Sequence, residues 1–393
     1  MLNPDADQNS TPLKIYPEKI IIRQALPADL EAIEQIENTC FLGDRLSRRR
    51  LKHWLKATNR IFLVAEANHA VFGYGLVLLH QGTRLARLYS LAILPIGRKT
   101  GTGQILLTAL EKSSAERGRF FMRLEVSNKN TPAITLYRNQ GYWCFDEYRD
   151  YYEDHSDALR MQKRILRGTS VNNVRNAPWY QQTTEFTCGP ASLLMAMSTI
   201  EPSIALSQTE ELDIWREATT IFMTSGHGGC HPIGLALAAQ KRGFTASVYI
   251  NTDKPLFLEG VRSNHKKQIM STVDEHFKQQ ANASAVVVNY EELTQELIQQ
   301  ALAREAIIVI LISTYRMDGR KAPHWVLVTA MDEDCLYVHD PDPDEISQDP
   351  LDCQHIPIAR ESFNQMACFG RDRLRTGIIL ENNYRLPVLK TPA

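Results

Sequence analysis

Hydrophobic residues recur along the first part of the chain with two different periods. Alternating apolar positions predict strands, and apolar positions three and four residues apart predict helices. Since the predicted helices lie between strands, this part should adopt an α/β fold. The predicted elements are strand Ile20–Arg23, helices Pro27–Cys40 and Arg45–Lys56, strands Ile61–Glu66, Val71–His80 and Leu85–Leu94, helix Gly101–Arg117, strand Phe120–Val126, helix Pro132–Asn139, and strands Tyr142–Tyr152 and Ala158–Ile165.

A second series of elements begins near Trp179, after a stretch rich in Gly, Ser, Asn and Arg. Its strands gather late, behind a helix that begins at a cysteine, which indicates an α+β fold. The predicted helices are Cys188–Ile200, His231–Gly243, Lys254–Gln280 and Tyr290–Arg304, and the predicted strands are Ala246–Asn251, Ala306–Ser313, His324–Met331 and Cys335–Asp340. We therefore predict a flexible N-terminus (1–18), a first domain (19–166), a linker (167–178), a second domain (179–380) and a tail (381–393) that contains two prolines.

Composition narrows the class of protein. The 393 residues are 44% hydrophobic and 23% charged, and the formal net charge is -1. This balance predicts a folded protein without a general attraction to nucleic acid or to a membrane. We see no signal peptide and no apolar run long enough to span a bilayer, and the seven cysteines include no Cys-x-x-Cys pair. We expect a cytoplasmic protein without a bound metal, and the oligomeric state stays open.

A strand, a glycine-rich turn and a helix follow one another within Leu88–Leu107. The apolar strand stops at Pro95, Arg98 adds positive charge, and Gly101 and Gly103 open the helix. Such a turn presents unpaired backbone N–H groups at the positive end of the helix dipole, where a phosphate can bind. On the glycines alone, this segment is either a pyrophosphate cradle or an ordinary turn between strand and helix.

The segment Leu124–Tyr142 follows one strand later and favours the pyrophosphate cradle over the ordinary turn. It contains Leu-Glu-Val, then Asn130, then Ala-x-x-Leu-Tyr and a Gly-Tyr pair. Together with the glycine turn, it resembles the GNAT acetyltransferases, specifically the branch that acetylates the N-terminal alanine of a ribosomal protein. The resemblance covers Ile20–Ile165. It implies a GNAT mixed sheet with flanking helices, and acetyl-CoA as co-substrate.

The same resemblance implies a role for each matching residue. Tyr137 would protonate the leaving thiolate, and Glu125 would be the general base that takes the proton of the attacking ammonium through water. Leu94 and Gly97 depart from the family's usual residues. Read without the resemblance, Tyr137 is a buried helix tyrosine and Glu125 a surface strand carboxylate. The positions expected to bind CoA are Leu91, Ala92, Ile93, Arg98, Lys99, Thr100, Gly101, Thr102, Gly103, Gln104, Asn130 and Tyr137.

The second half carries a set of residues suited to nucleophilic catalysis. Cys188 begins an apolar helix, where the helix dipole favours a thiolate. His324 stands at the start of a predicted strand, and Asp340 at the end of the next. The imidazole could take the thiol proton while the carboxylate fixes the tautomer of the ring. Gln182 could donate its amide N–H to an oxyanion.

These residues lie in a pattern of Gln-x5-Cys-Gly, His-Trp-Val and Asp-Pro that resembles the papain-like peptidases which remove double-glycine leaders from bacteriocin precursors. The resemblance covers Trp179–Leu380 and implies a papain-like cysteine peptidase fold with Gln182, Cys188, His324 and Asp340 as catalytic residues. In that family the peptidase is usually fused to a membrane exporter, which this sequence does not contain. A separate run, Gly226–Pro232, holds two histidines and a cysteine. We interpret it as a flexible loop beside the cleft rather than a metal site.

The two halves together predict a bifunctional enzyme. The first would transfer acetyl from acetyl-CoA to an amine of a peptide or protein, at an N-terminus or a lysine. The second would hydrolyse a peptide or amide bond. The alternative keeps the acetyltransferase and makes the second half a non-catalytic peptide-binding module.

Overall fold

The computed structural model describes residues 20–41, 43–166, 177–223, 226–259, 261–315, 322–343 and 350–382. These residues divide into two compact units. One contains residues 20–80 and 84–166, and the other contains the described residues of 177–382 together with 81–83. The predicted flexible N-terminus, most of the predicted linker and the tail beyond residue 382 lie outside the described residues. No helix in the described ranges is both long and apolar enough to cross a membrane.

The first unit is a mixed sheet with helices on both faces. The sheet order is β1-β2-β3-β4-β5-β7-β6, and only the β4–β5 pair is parallel. Two apolar clusters, one on each side, hold α1 and α2 against one face and α3 and α4 against the other. The elements are β1 (Ile21–Gln24), α1 (Leu30–Cys40), α2 (Arg48–Lys56), β2 (Arg60–Ala67), β3 (Ala70–Leu79), β4 (Leu85–Ile93), α3 (Thr102–Glu116), β5 (Phe121–Ser127), α4 (Thr131–Asn139), β6 (Trp143–Tyr148) and β7 (Ala158–Arg164).

The two parallel strands separate after a short contact. Pairing between β4 and β5 starts at Leu85 with Phe121 and ends at Arg87 with Arg123. The register of β4 against β3 then shifts between its residues Leu88 and Ser90. An inserted residue of this kind increases the local twist and bends the strand. The second half of β4 therefore pairs with β3 alone, and its other edge opens into a wedge beside β5.

The second unit is a seven-stranded sheet in the order β11-β10-β16-β12-β13-β14-β15. One face packs against α5, α7 and α8, and the other against α9 and α10. The elements are α5 (Cys188–Ile200), α6 (Gln208–Ala218), β8 (Phe222–Met223), β9 (Gly226–His227), α7 (Pro232–Lys241), β10 (Phe244–Ile250), α8 (Asn264–Asn282), β11 (Val287–Asn289), α9 (Gln295–Ala303), β12 (Ile307–Ser313), β13 (Pro323–Met331), β14 (Cys335–His339), β15 (Ile356–Ala359), α10 (Arg360–Met366) and β16 (Thr376–Asn382).

Several elements of the second unit differ from the sequence prediction. The helix predicted over Lys254–Gln280 begins only at Asn264, because Pro255 interrupts the earlier residues and the Ser263 hydroxyl caps the first turn. The helix predicted over Tyr290–Arg304 begins at Gln295. Strand β16 and helix α6 have no counterpart in the prediction. Residues 381 and 382, which we assigned to the tail, end β16 in the centre of the sheet.

Candidate functional site

The glycine turn of the first unit is an open backbone cradle. The backbone N–H groups of residues 99–104 have no backbone acceptor in the described chain. Gly101 caps α3 with a φ of 83°, a left-handed conformation that favours glycine, and a Cβ added there would meet nothing within 4 Å. The turn can therefore accept an anionic group against its backbone at the positive end of α3.

The cradle lies beside the free edge of β4. A Cβ added to Gly103 would stand 3.4 Å from Ile93 Cδ1 and 3.2 Å from Leu136 Cδ2, so the start of α3 adjoins both the end of β4 and α4. Leu91, Ala92 and Ile93 pair with β3 on one side only. The Arg98 side chain turns back onto this strand and donates from Nε to the Ile93 carbonyl at 3.1 Å.

Helix α4 supplies the next two predicted residues. Asn130 caps it, and Asn130 Oδ1 accepts a hydrogen bond from the Ala133 N–H at 3.3 Å. The Tyr137 side chain is buried in the apolar cluster beneath α3, and burial raises the pKa of its hydroxyl well above the usual value. No described residue forms a hydrogen bond with that hydroxyl. Tyr137 therefore stays protonated at neutral pH and keeps its proton available for a ligand.

Glu125 is not the surface carboxylate that a strand position suggests. Its side chain is 5% exposed, and Oε2 accepts from Arg87 Nε at 2.9 Å. Its Oε1 forms no hydrogen bond with a described residue and lies 3.7 Å from Arg160 Nε. Two guanidinium groups thus compensate the buried charge. One carboxylate oxygen remains without a donor, which leaves it able to bind water.

Residues that sequence reasoning missed lie close to Glu125. The loop between β6 and β7 brings in Tyr151, whose hydroxyl accepts from Arg87 Nη2 at 3.3 Å. Tyr152 is packed against it, and its pKa is raised by burial first and then by Tyr151, Glu125 and Tyr137 nearby. A Tyr-Tyr pair at the end of an alternating strand carries no functional signal by itself. The two rings place hydroxyl groups beside the wedge between β4 and β5.

In the second unit, the predicted nucleophile lies at the start of its helix. Cys188 is the first residue of α5, and Thr187 precedes it as the cap. The Ser192 hydroxyl donates to the Trp325 carbonyl at 3.0 Å, which fixes α5 against the strand that begins beside His324. A Cβ on Gly189 would stand 3.1 Å from Trp325, so glycine permits this close approach of helix and strand.

The structure brings together three of the four predicted residues. His324 Nε2 lies 2.7 Å from Asp340 Oδ1, and both side chains are buried. Cys188 lies close enough to His324 to raise the pKa of the imidazole. Burial lowers the pKa of His324, but the Asp340 charge, the hydrogen bond to Asp340 and the nearby Cys188 outweigh it and hold the pKa well above the usual value. The imidazolium form is therefore stable next to Cys188 at neutral pH.

Gln182, the fourth predicted residue, lies on the segment beside Asp340. Its backbone N–H donates to the Pro341 carbonyl at 2.9 Å, and the Trp179 indole N–H donates to the Asp340 carbonyl at 2.8 Å. Gln182 is 8% exposed, and its buried Oε1 has no hydrogen-bond donor among the residues that the structure describes. A buried amide oxygen without a donor costs free energy, so the surrounding structure must hold the Gln182 side chain in this position.

The Gly226–Pro232 run has a structural role at its C-terminal end. His231 caps α7 through Nδ1, and its Nε2 lies 2.9 Å from Asp274 Oδ1 in a fully buried pair. Burial lowers the pKa of His231 despite that carboxylate, and burial also raises the pKa of the neighbouring Cys230 thiol. In the described ranges, no three His, Cys, Asp or Glu side chains cluster as metal ligands would.

Comparison with known proteins finds a different family in each half of the chain. Residues 30–142 match the acetyltransferase (GNAT) family, and residues 177–381 match a Peptidase_C39-like family. An uncharacterized N-acetyltransferase of Methanocaldococcus jannaschii is 33% identical over 146 residues, which cover 37% of this chain and 92% of that protein. An N-alpha-acetyltransferase of Sulfurisphaera tokodaii is 30% identical over 151 residues, covering 36% of this chain and 90% of that protein.

Two further similarities concern ribosomal-protein acetyltransferases. The bS18-alanine N-acetyltransferase of Salmonella typhimurium is 32% identical over 102 residues, covering 25% of this chain and 66% of that protein. The crystal structure of the S18-alanine N-acetyltransferase of Escherichia coli is 23% identical, with a TM-score of 0.36, and the match covers 39% of this chain and 99% of that one. Both resemblances that the motifs indicated are confirmed at the level of the family.

Proposed function

Since the chain belongs to the acetyltransferase (GNAT) family through its first unit and to the Peptidase_C39-like family through its second, we propose that it is a bifunctional enzyme. The first unit transfers acetyl from acetyl-CoA to an amine of a peptide or protein. The second hydrolyses a peptide or amide bond with Cys188, His324 and Asp340. The observation that carries the second activity is the buried His324–Asp340 hydrogen bond beside Cys188 at the start of α5.

The cradle of the first unit fits the pyrophosphate of acetyl-CoA, which supplies the acetyl group. The unpaired N–H groups of residues 99–104 offer hydrogen bonds to phosphate oxygens, and the dipole of α3 adds positive potential. The free edge of β4 over Leu91–Ile93 offers backbone groups to the pantetheine arm. Asn130 lies exposed at the start of α4, the helix whose Leu136 adjoins Gly103 of the cradle.

Two side chains handle the protons of acetyl transfer. Glu125 Oε1 receives the ammonium proton of the acceptor through water, so that the neutral amine attacks the acetyl carbonyl. The bond from the carbonyl carbon to sulfur then breaks, Tyr137 donates its hydroxyl proton to the departing thiolate, and the second proton released by the acetylated nitrogen restores the tyrosine. Its raised pKa suits an acid that must stay protonated until this step. Tyr151 and Tyr152 line the acceptor side of the wedge.

The acceptor is the amine of a peptide or protein. The relatives named above include an N-alpha-acetyltransferase and a ribosomal-protein alanine acetyltransferase, which favours an N-terminal amine as the acceptor. The side-chain amine of a lysine would react by the same chemistry. Release of free CoA with pooled peptides tests this activity. Tyr137→Phe should lower the rate at least tenfold while acetyl-CoA still binds. Equal rates in the two proteins would remove Tyr137 from the reaction.

The second unit carries out acyl transfer to sulfur. The Cys188 thiolate attacks the carbonyl carbon, and the oxyanion that forms accepts from the Cys188 backbone N–H and the Gln182 amide. His324 gives its proton to the leaving amine and then takes one from water, which attacks the acyl-enzyme and regenerates the thiol. We also propose a papain-like arrangement, because the nucleophile heads a helix that packs on the antiparallel sheet carrying His324.

Iodoacetamide alkylation separates this hydrolase from the alternative, a peptide-binding module without catalysis. A hydrolase needs Cys188 as a thiolate, so this residue should be alkylated at neutral pH much faster than the other six cysteines, including the exposed Cys144. A His324→Ala variant should lose that advantage. Uniformly slow alkylation of all seven cysteines would favour the binding module.

A further inference from the structure

A buried carboxylate outside the predicted catalytic set holds the segment that carries Gln182. Glu211 lies on α6, a helix absent from the sequence prediction, and is 0% exposed. Its Oε1 accepts from the Thr183 backbone N–H at 2.9 Å. Its Oε2 accepts from the Thr183 hydroxyl at 2.8 Å and from the Tyr180 hydroxyl at 2.9 Å. Three donors from the two sides of Gln182 therefore converge on one carboxylate.

The opposite side of the same segment is fixed to the turn after β14. The Gln182 N–H and the Trp179 indole bind the carbonyls of Pro341 and Asp340. Gln182 thus stands between Glu211 on one side and the Asp340 turn on the other. Among the described residues its own amide oxygen has no donor, so their hydrogen bonds to the side chain do not determine where it lies.

Glu211 is poorly explained as a stabilising residue alone. Among the described residues it has no cationic partner, and all its donors are neutral groups. A buried carboxylate without a counter-charge is costly, and a neutral side chain could fill the same space. Buried polar groups with such a cost are found where a fixed geometry is needed.

We propose that Glu211 is the positioning residue of the oxyanion site, which fixes the Gln182 amide relative to Cys188. The inference rests on the proposed hydrolase function. Glu211 acts through Tyr180 and Thr183, not by touching the substrate. Its loss should weaken binding of a tetrahedral oxyanion while leaving the thiolate of Cys188 and its His324 partner intact.

Two probes measure these properties separately. N-acetylglycylglycinal is a peptide aldehyde whose carbon bonds to Cys188 Sγ, while its oxygen takes the thiol proton and occupies the oxyanion site. Iodoacetamide alkylates the same sulfur without forming an oxyanion. Glu211→Ala should weaken aldehyde binding about 10- to 100-fold, because a misplaced oxyanion donor costs less than its complete removal, which costs about 100- to 1,000-fold, and should leave the alkylation rate within about twofold.

Conservative variants separate positioning from folding. Glu211→Gln keeps an oxygen for the Thr183 N–H and an amide that can donate to the two hydroxyls, so it should recover aldehyde binding to within about fivefold. Tyr180→Phe removes one hydrogen bond and opens no cavity, and should give an intermediate loss. Glu210→Ala, which removes the adjacent carboxylate paired with Arg242, is the matched control and should bind the aldehyde like the wild type.

The outcomes distinguish the inference from the function on which it rests. Wild-type aldehyde affinity in Glu211→Ala, or a parallel loss of aldehyde binding and alkylation, would overturn the positioning role while the hydrolase stands. A wild-type protein whose Cys188 reacts with neither probe would overturn the hydrolase and the inference with it.

Discussion

Replacing Asp340 by asparagine tests the electrostatic basis of the second site. The carboxylate accepts from His324 Nε2 at 2.7 Å, with side-chain exposures of 7% and 8% for the two partners. Asparagine keeps an oxygen of similar position, so the ring stays in place and only the charge is lost. In this variant burial still lowers the pKa of His324, but the Asp340 charge no longer raises it. We therefore expect the pKa of the imidazole to fall below the usual value.

The size of the effect follows from the hydrogen bond that loses its charge. A hydrogen bond to a charged group contributes about 1.5–3 kcal/mol. At about 1.4 kcal/mol per factor of ten, the population of the thiolate–imidazolium pair should fall roughly 10- to 150-fold. Alkylation of Cys188 by iodoacetamide at pH 7 should slow by the same factor. Asp253 is exposed and forms no ion pair with the residues that the structure describes, so Asp253→Asn is the control.

The pH dependence gives a second measure with a definite sign. In the wild type the pKa of His324 is raised, so its contribution to stability is fully present below about pH 6.5 and is lost as the pH rises through the folded pKa. Asp340→Asn lacks that contribution. The difference in unfolding free energy between the two proteins should therefore shrink towards alkaline pH. Equal alkylation rates at pH 7, or a stability difference that does not change with pH, would refute the account of this pair.

Three further predictions concern stability. Gly101→Ala should lower the unfolding free energy of the first unit by about 1–2 kcal/mol in urea denaturation. The left-handed φ disfavours alanine, and the new Cβ would gain no contact that could compensate. An unchanged denaturation midpoint would contradict this. Gly189→Ala should cost about 1–3 kcal/mol, since the new Cβ meets three buried groups at 3.1–3.2 Å. His231→Asn should lose less stability between pH 6.5 and 5 than the wild type, because the lowered pKa of His231 makes the unfolded chain bind the proton first. If the unfolding free energies of the two proteins fell in parallel between pH 6.5 and 5, His231 would not be the source of the acid-induced loss of stability.

The sequence predicted those parts of the two sites that depend on local order along the chain. The glycine turn at Gly101, the tyrosine at 137 and the cysteine that begins α5 each follow from a motif within one segment. The order of strands allowed His324 and Asp340 to be placed as neighbours, and the structure puts them 2.7 Å apart. Their catalytic roles stay predictions until activity is measured.

Features that depend on tertiary packing were not predictable in this way. The compensation of Glu125 by Arg87 and Arg160 joins three different strands, and no spacing within one strand reveals it. Strand β16 occupies the centre of the second sheet, although its sequence, Thr-Gly-Ile-Ile-Leu-Glu-Asn, is short and contains a glycine. Glu211 has an ordinary place on an amphipathic helix, and only the fold brings the Gln182 segment to it.

Mass spectrometry of a pooled peptide library incubated with acetyl-CoA tests the central claim of two activities in one chain. The wild type, Cys188→Ala and Tyr137→Phe are compared in parallel. We predict shortened peptides that disappear with Cys188→Ala and acetylated peptides that decline with Tyr137→Phe, each variant keeping the other activity. Acetylated peptides without any cleavage in the wild type would contradict the bifunctional enzyme and favour a peptide-binding second unit.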